Sequence, residues 1–243
     1  MTQLLQRVVL PLDTTTEPLL YARFTGTTRV VPGGAVLQDG AQVSFDTSFG
    51  VFAAGRWRRI TTVNSLAVRV RASGIGEAQV VAVTGGNEQV VASAPLPQGE
   101  DSPIFVELSL PDLQSSTPGT YFVRVVARGG EVCITGGEWV SNDVAAHDVK
   151  LSLSITTFNR QEYVRKTVHN VLELERSLDA LRGHVRVFVV DNARNVTFDA
   201  PADAPLQVVP NGNLGGAGGF ARGLMELRKQ GWATHVLFMD DDI

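Results

Sequence analysis

The sequence predicts an α+β multidomain protein: a β-sandwich or jelly roll over residues 1–147, then a Rossmann-like α/β unit over 148–243. Three observations lead there. Short β-branched runs separated by glycine and proline turn signals fill the first 147 residues. In the second half, apolar runs too short for helices alternate with amphipathic helical patterns, as parallel strands joined by crossover helices do. Each of those runs ends in a polar cluster, and a parallel sheet gathers its strands' carboxyl ends along one edge, where ligands bind.

In the first unit, strands are expected at 6–10, 41–45, 66–72, 78–83, 89–93, 104–110, 121–127 and 131–135, a spacing that suits a sandwich or jelly roll. Ser73-Gly74, Gly85-Gly86-Asn87, Pro118-Gly119 and Gly129-Gly130 are the turn signals between them. Phe45, Phe49, Phe52 and Trp57 run into Arg56, Arg58 and Arg59. Such a cluster suits sugar stacking or anion binding, but core aromatics beside a solvated basic edge are the commoner case. Trp139 reads as a sandwich core residue or as part of a domain junction. The polar stretch 141–148 is the candidate linker.

Beyond it, 151–155, 185–190 and 236–239 read as strands. Residues 161–181 form an amphipathic helix with Val164, Val168, Val171, Leu172, Leu174, Leu178 and Leu181 largely on one face, and 220–230 form another. Neither a repeat nor a low-complexity tract is present.

A formal charge of −4 and a pI near 5.6 argue against a nucleic-acid partner, because phosphate neutralisation needs a basic surface. The single cysteine, Cys133, lies in a strand pattern and reads as a buried, inert thiol. No apolar run approaches the ~20 residues needed to span a bilayer, and no leader pattern opens the chain. A cytoplasmic location is therefore expected, with peripheral membrane contact left open.

The candidate site is built from four clusters. Asp240-Asp241-Asp242 follows the last apolar run, and strand alternation would send Asp240 and Asp242 to one side and Asp241 to the other. Two carboxylates so placed suit a hard divalent cation whose other positions go to water and diphosphate, or they form a solvated acidic strand end. Asn213-Leu214-Gly215-Gly216 opens a glycine-rich segment that suits either phosphate cradling or a plain turn, since its glycine order matches neither known fingerprint. Thr157-Phe158-Asn159-Arg160 places an aromatic and a guanidinium at a strand end, suited to a base face and a phosphate. Asp191-Asn192 places an acceptor and an amide at the next. The four histidines show no metal-ligand spacing.

The order strand, Thr-Thr-Phe-Asn-Arg, helix, strand, Asp-Asn, Asn-Leu-Gly-Gly, helix, strand, Asp-Asp-Asp resembles the nucleotide-sugar half of inverting family 2 glycosyltransferases with the GT-A fold. Thr157 to Arg160, Asn213 to Arg222 and Phe238 to Ile243 resemble more closely the polymerising galactofuranosyltransferases of actinobacterial cell-wall galactan. In that family a β-sandwich precedes the catalytic domain, and Val43 to Phe45 through Trp57 to Thr62 resembles that sandwich too.

The resemblance implies UDP-galactofuranose as donor and a lipid-linked, growing galactan as acceptor. It assigns Thr157, Phe158 and Arg160 to the uridine and diphosphate, and Asp191 and Asn192 to the uracil, where the family has an acid followed by glutamine. Asn213, Gly215 and Gly216 approach the ribose and diphosphate, Asp240 and Asp242 hold Mn2+ or Mg2+, and Asp240 and Asp241 also face the donor. A homo-oligomer at the inner membrane face is implied. The catalytic base and most of the acceptor site lie beyond the acidic triplet in that family, so 1–243 is expected to be a fragment that transfers no sugar alone. Its last strand is expected to expose apolar surface. Other expectations compatible with the residues are a family 2 enzyme using a rhamnosyl or hexosyl donor, or a non-catalytic glycan-binding module.

Overall fold

The computed structural model describes residues 2–10, 17–99, 102–115, 119–201 and 203–242. The chain divides into two compact units, Met1–Ala145 and Ala146–Ile243.

Among its described residues the first unit is almost entirely β: β1 (Gln3–Val8), β2 (Arg23–Thr25), β3 (Thr28–Val31), β4 (Gly34–Leu37), β5 (Gln42–Ser44), β6 (Ala67–Thr84), β7 (Asn87–Pro95), β8 (Ile104–Ser109) and β9 (Thr120–Ser141), with one α-helix, α1 (Ala54–Ile60). Its pairings are antiparallel, and β9 alone pairs with β1, β4, β5 and β6. Val68, Val70 and Ala72 alternate inward with Arg69 and Arg71 outward, and one continuous core takes residues from β1, β4, β5, β6, β8 and β9. The sheet therefore wraps a single core, consistent with a β-sandwich.

Two expected strand pairs are each one long strand. Residues 66–72 and 78–83 fuse into the 18-residue β6, and 121–127 and 131–135 into the 22-residue β9. Of the glycines read as turns, Gly74 is a point of close backbone approach and register shift instead, while Gly129 and Gly130 lie within β9 beside the Ile75 side chain. Gly74 has φ +123°, and a Cβ there would lie 2.1 Å from the Glu131 carbonyl oxygen. The shift in pairing between Gly74 and Gly76 leaves residues 128–131 without partners on β6. Gly85-Gly86 is a true turn, both glycines at positive φ between Thr84 and its partner Asn87. Pro118 lies outside the described residues, and β2 to β4 are too short for periodicity to have revealed them.

Phe45, Phe52 and Trp139 are fully buried, with Phe52 stacked between Trp139 at 4.8 Å and Trp57 at 5.6 Å. The aromatic cluster and Trp139 thus belong to the sandwich core, except Phe49, which stays half-exposed against Tyr21. Cys133 is only half-buried in β9, and that burial pushes its thiol pKa up.

The expected linker is partly structured. Ser141 ends β9, and Asp143 accepts the backbone N–H of Asn64 at 2.5 Å and Ser65 at 2.9 Å, and the Ser141 hydroxyl at 3.0 Å. These donors, the Asn64 amide foremost, hold its carboxyl below the usual range. A depressed folded pKa stabilises the fold above the unfolded value, and that contribution is lost as pH falls below about 4. Asp143→Asn is expected to cost about 1–2 kcal/mol at neutral pH and to flatten the acid limb of stability. Urea midpoints across pH 3–7 check both.

The second unit is β10 (Leu151–Thr157), α2 (Gln161–Ser177), β11 (Val185–Asp191), β12 (Leu206–Pro210), α3 (Gly215–Gln230) and β13 (His235–Met239). All pairings are parallel, in the order β12-β11-β10-β13. Val164, Val168 and Leu172 of α2 pack with Ile155, Val187 and Val189, while Leu227 of α3 packs with Phe188, Val190 and Val209. Alternate side chains of β11 point to opposite faces, so the helices cover both.

α2 stops at Ser177, four residues short of the expected end, and Leu174 and Leu178 are exposed. Among the described residues β13 pairs with β10 alone, and Leu237 and Phe238 are nearly half-exposed. No helix of the described residues is long and apolar enough to cross a membrane.

Candidate functional site at the switch point of the parallel sheet

The chain steps outward from β10 to β11 and β12, then returns to place β13 on the other side of β10. Parallel strands deliver the segments that follow them to one carboxyl edge, the side on which ligands bind in open α/β sheets. Thr157 ends β10, Asp191 ends β11, Asn211 follows β12 and Asp240 follows β13. The four clusters singled out in the sequence lie along this edge.

Phe158 is half-exposed, beside Asn159 in the left-handed conformation at φ 56°, which asparagine tolerates better than most residues. That turn delivers the chain into α2 and places Arg160 toward the acidic turn. Arg160 donates from Nη2 to Asp242 Oδ2 at 2.8 Å, pairs through Nη1 with Asp241 Oδ1 at 3.3 Å, and lies over the Tyr163 ring at 4.4 Å. The Asp242 hydrogen bond, with the charges of Asp241 and Asp242, raises its pKa above the ordinary guanidinium value.

The acidic triplet does not alternate as expected, because the strand ends at Met239 and Asp241-Asp242 form a turn. Asp241 is buried, its Oδ2 accepting the Thr157 hydroxyl at 2.7 Å and its backbone carbonyl accepting the Thr167 hydroxyl at 3.0 Å. Asp241 and Asp242 both face Arg160, whereas the carboxylate of Asp240 is exposed. Thr157, expected at the nucleotide, holds Asp241. Among the described residues no group of three or more His, Cys, Asp or Glu side chains converges as a metal cage. The donor set of Asp240 and Asp242 still fits a hard cation, since it is all-oxygen and the turn already brings two carboxylates, Asp241 and Asp242, to one guanidinium. That guanidinium stands where a counter-cation is needed.

Asp191 and Asn192 divide their roles. Asp191 Oδ1 accepts the N–H groups of Ala193 and Arg194 at 3.0 and 2.9 Å, and Oδ2 those of Asn195 and Val196 at 2.6 and 2.7 Å. Its four acceptor sites are thus taken up by its own loop, not offered to a base. Asn192 donates to the Gly215 carbonyl at 3.2 Å and accepts from Asn211 at 2.9 Å. Asn195 donates to Asn159 at 2.8 Å, so three loops of the edge are cross-linked. Asn195, Asn211, Tyr163 and Thr167 escaped the sequence reading, because single polar residues in loops and helices carry no periodic signal.

The glycine-rich segment is helix, not loop: α3 begins at Gly215, five residues before the expected start. Glycine's poor helix propensity suggests a loop, but close packing overrides it. A Cβ on Gly219 would lie 2.2 Å from Thr156 Cγ2, and one on Gly223 2.2 Å from Ser154 Oγ. The side chain of Asn213 accepts the Gly215 N–H at 3.1 Å, and the exposed first turn of α3 keeps N–H groups without intrahelical acceptors.

The family model described as Galactofuranosyltransferase 2 N-terminal matches residues 5–142, more than half of the chain. The chain belongs to this family. Two curated relatives extend the likeness of this galactofuranosyltransferase 2 N-terminal family member. Galactofuranosyltransferase GlfT2 of Mycobacterium tuberculosis (strain ATCC 25618 / H37Rv) is 31% identical, over 99% of this chain and 40% of its own length. That of Mycolicibacterium smegmatis (strain ATCC 700084 / mc(2)155) is 31% identical over 84% and 32% respectively. The chain thus spans well under half of these relatives. The family model covers the first unit, whereas the likeness to the M. tuberculosis protein takes in nearly the whole chain. Among solved structures, a mutant of a carbohydrate binding module family 29 covers 60% of the chain and 99% of its own at 13% identity and a TM-score of 0.35, too weak a likeness to assign anything.

Proposed function

We propose that this chain carries the donor-binding part of an inverting, metal-dependent galactofuranosyltransferase of GT-A type. It would move galactofuranose from UDP-galactofuranose to a growing, lipid-linked cell-wall galactan. The observation that carries the reading is the gathering of groups at the switch-point edge: an exposed aromatic, a guanidinium, an open helix N-terminus and an acidic turn share one sheet edge. Family membership supports the choice of sugar.

In this reading Phe158 offers its face to the uracil, and Arg160 and the first-turn amides of α3 face the diphosphate. Asn213 stands beside those amides. The cross-linked loops hold these groups in place before the ligand arrives, so little ordering is left for binding to drive. A divalent cation on Asp240 and Asp242, Mn2+ or Mg2+, would supply Lewis-acid neutralisation of the charge on the departing diphosphate. Arg160, now on Asp242, is the chain's own positive charge for the same demand. The base for the acceptor hydroxyl is proposed for the length that the relatives have beyond this match. Action as a homo-oligomer at the cytoplasmic face of the membrane belongs to the same proposal.

The test is thermal melting of the chain with UDP, with Mn2+ and with both, beside Asp242→Ala. Ligands that bind only the folded state add about 2.7 kcal/mol at hundredfold saturation, equivalent to several degrees. A joint shift larger than either ligand gives alone, absent in Asp242→Ala and not reproduced by deoxythymidine diphosphate, is expected. A shift of equal size in the variant would sink the metal assignment.

A further inference from the structure

The middle carboxylate of the acidic turn is not on display. Asp241 is 5% exposed and held at two points from two elements: Thr157, at the end of β10, donates to its carboxylate, and Thr167, in the second turn of α2, donates to its carbonyl. Both threonines are buried, at 2% and 3% exposure. The carbonyl belongs to the peptide joining Asp241 to Asp242, and a planar peptide held at its oxygen fixes the direction in which the next residue leaves. With Asp241 drawn inward, its neighbours' carboxylates stay outside, Asp240 exposed and Asp242 41% exposed.

We infer that Thr157 and Thr167 are positioning residues for the divalent cation: they draw Asp241 inward so that Asp240 and Asp242 present their oxygens together. The inference rests on the donor-site reading above. Hydroxyls that orient ligand-bearing backbone act on a metal at one remove, and loss of such a partner typically costs about 10–100-fold in metal affinity.

The experiment is Mn2+ titration of the chain by calorimetry, with folding of each variant checked by circular dichroism. Thr167→Val keeps the shape and removes the hydroxyl, Thr167→Ser keeps the hydroxyl and removes the methyl, and Thr157→Val removes the second anchor. Expected are a loss of about 10–100-fold for either valine variant and near-parent affinity for the serine variant. Parent affinity in a folded valine variant overturns the inference and leaves the donor-site reading standing. Serine as weak as valine also overturns it, since packing of the methyl would then be responsible. A parent chain that binds neither Mn2+ nor UDP overturns both. Should Thr167→Val not fold, Thr157→Val decides by the same criterion.

Discussion

Asp191→Ala is expected to destabilise the second unit by about 3–5 kcal/mol, the largest effect of any single change at the sheet edge. The buried carboxylate accepts four consecutive backbone N–H groups, from Ala193 to Val196. A buried donor left without an acceptor costs about 1–3 kcal/mol. Water can reach the exposed Arg194 and Asn195, so the sum is discounted. Asp191→Asn discriminates charge from shape, because its amide keeps one acceptor oxygen but turns an N–H2 toward donors. Both variants are expected to be destabilised, and the loop is expected to release Asn192 from Gly215 and Asn211. Urea unfolding followed at Trp232, the only tryptophan beyond residue 139, measures this. A loss below about 1 kcal/mol in Asp191→Ala would show that the loop holds itself.

Gly219→Val is expected to push α3 off β10, costing about 1–3 kcal/mol from overpacking and abolishing UDP affinity with it. Two effects compete at this position. Replacing a mid-helix glycine by alanine ordinarily gains about 1 kcal/mol. Here, however, the first atom added would meet the β-branched Thr156 side chain at 2.2 and 2.6 Å, distances no rotamer of a paired central strand easily relieves. The clash decides the sign for alanine and more so for valine. Thr156→Ala in the same chain makes room, so the double variant is expected to recover most of both stability and UDP affinity, a coupling a double-mutant cycle reads directly. Additive losses would show that the helix does not depend on this contact.

These two positions mark the limit of what local sequence conveys. The α/β alternation was legible because β-branched runs of five to seven residues and an amphipathic helix each carry their own period, and the start of α2 at Gln161 followed from it. The clusters along the sheet edge were legible for the same reason, since a parallel strand delivers whatever follows it to one side. Gly85-Gly86 was legible as a hairpin because two adjacent positive-φ residues leave few alternatives. The fusion of β6 and of β9 was not, because a glycine in a strand and a glycine in a turn look alike until the partner backbone is known. The start of α3 was hidden likewise, its glycines signalling a loop while their role is to let the helix approach Ser154 and Thr156.

By itself, then, the sequence determined the α/β alternation around β10, α2, β11 and β13, the residues that close those three strands, and the chemistry available there. Those follow from hydrophobic period and local sterics, which act over a few residues. β12 (Leu206–Pro210) and the helix α1 (Ala54–Ile60) were not read from it. Only the tertiary structure decided where each carboxylate points. Asp191 turns back on the amides of its own loop, Asp242 lies on Arg160, and Asp241 lies inward on hydroxyls 84 and 74 residues away in the chain. A buried carboxylate goes where donors lie in space, and those at Thr157 and Thr167 come near Asp241 only after the sheet has formed and α2 has packed against it.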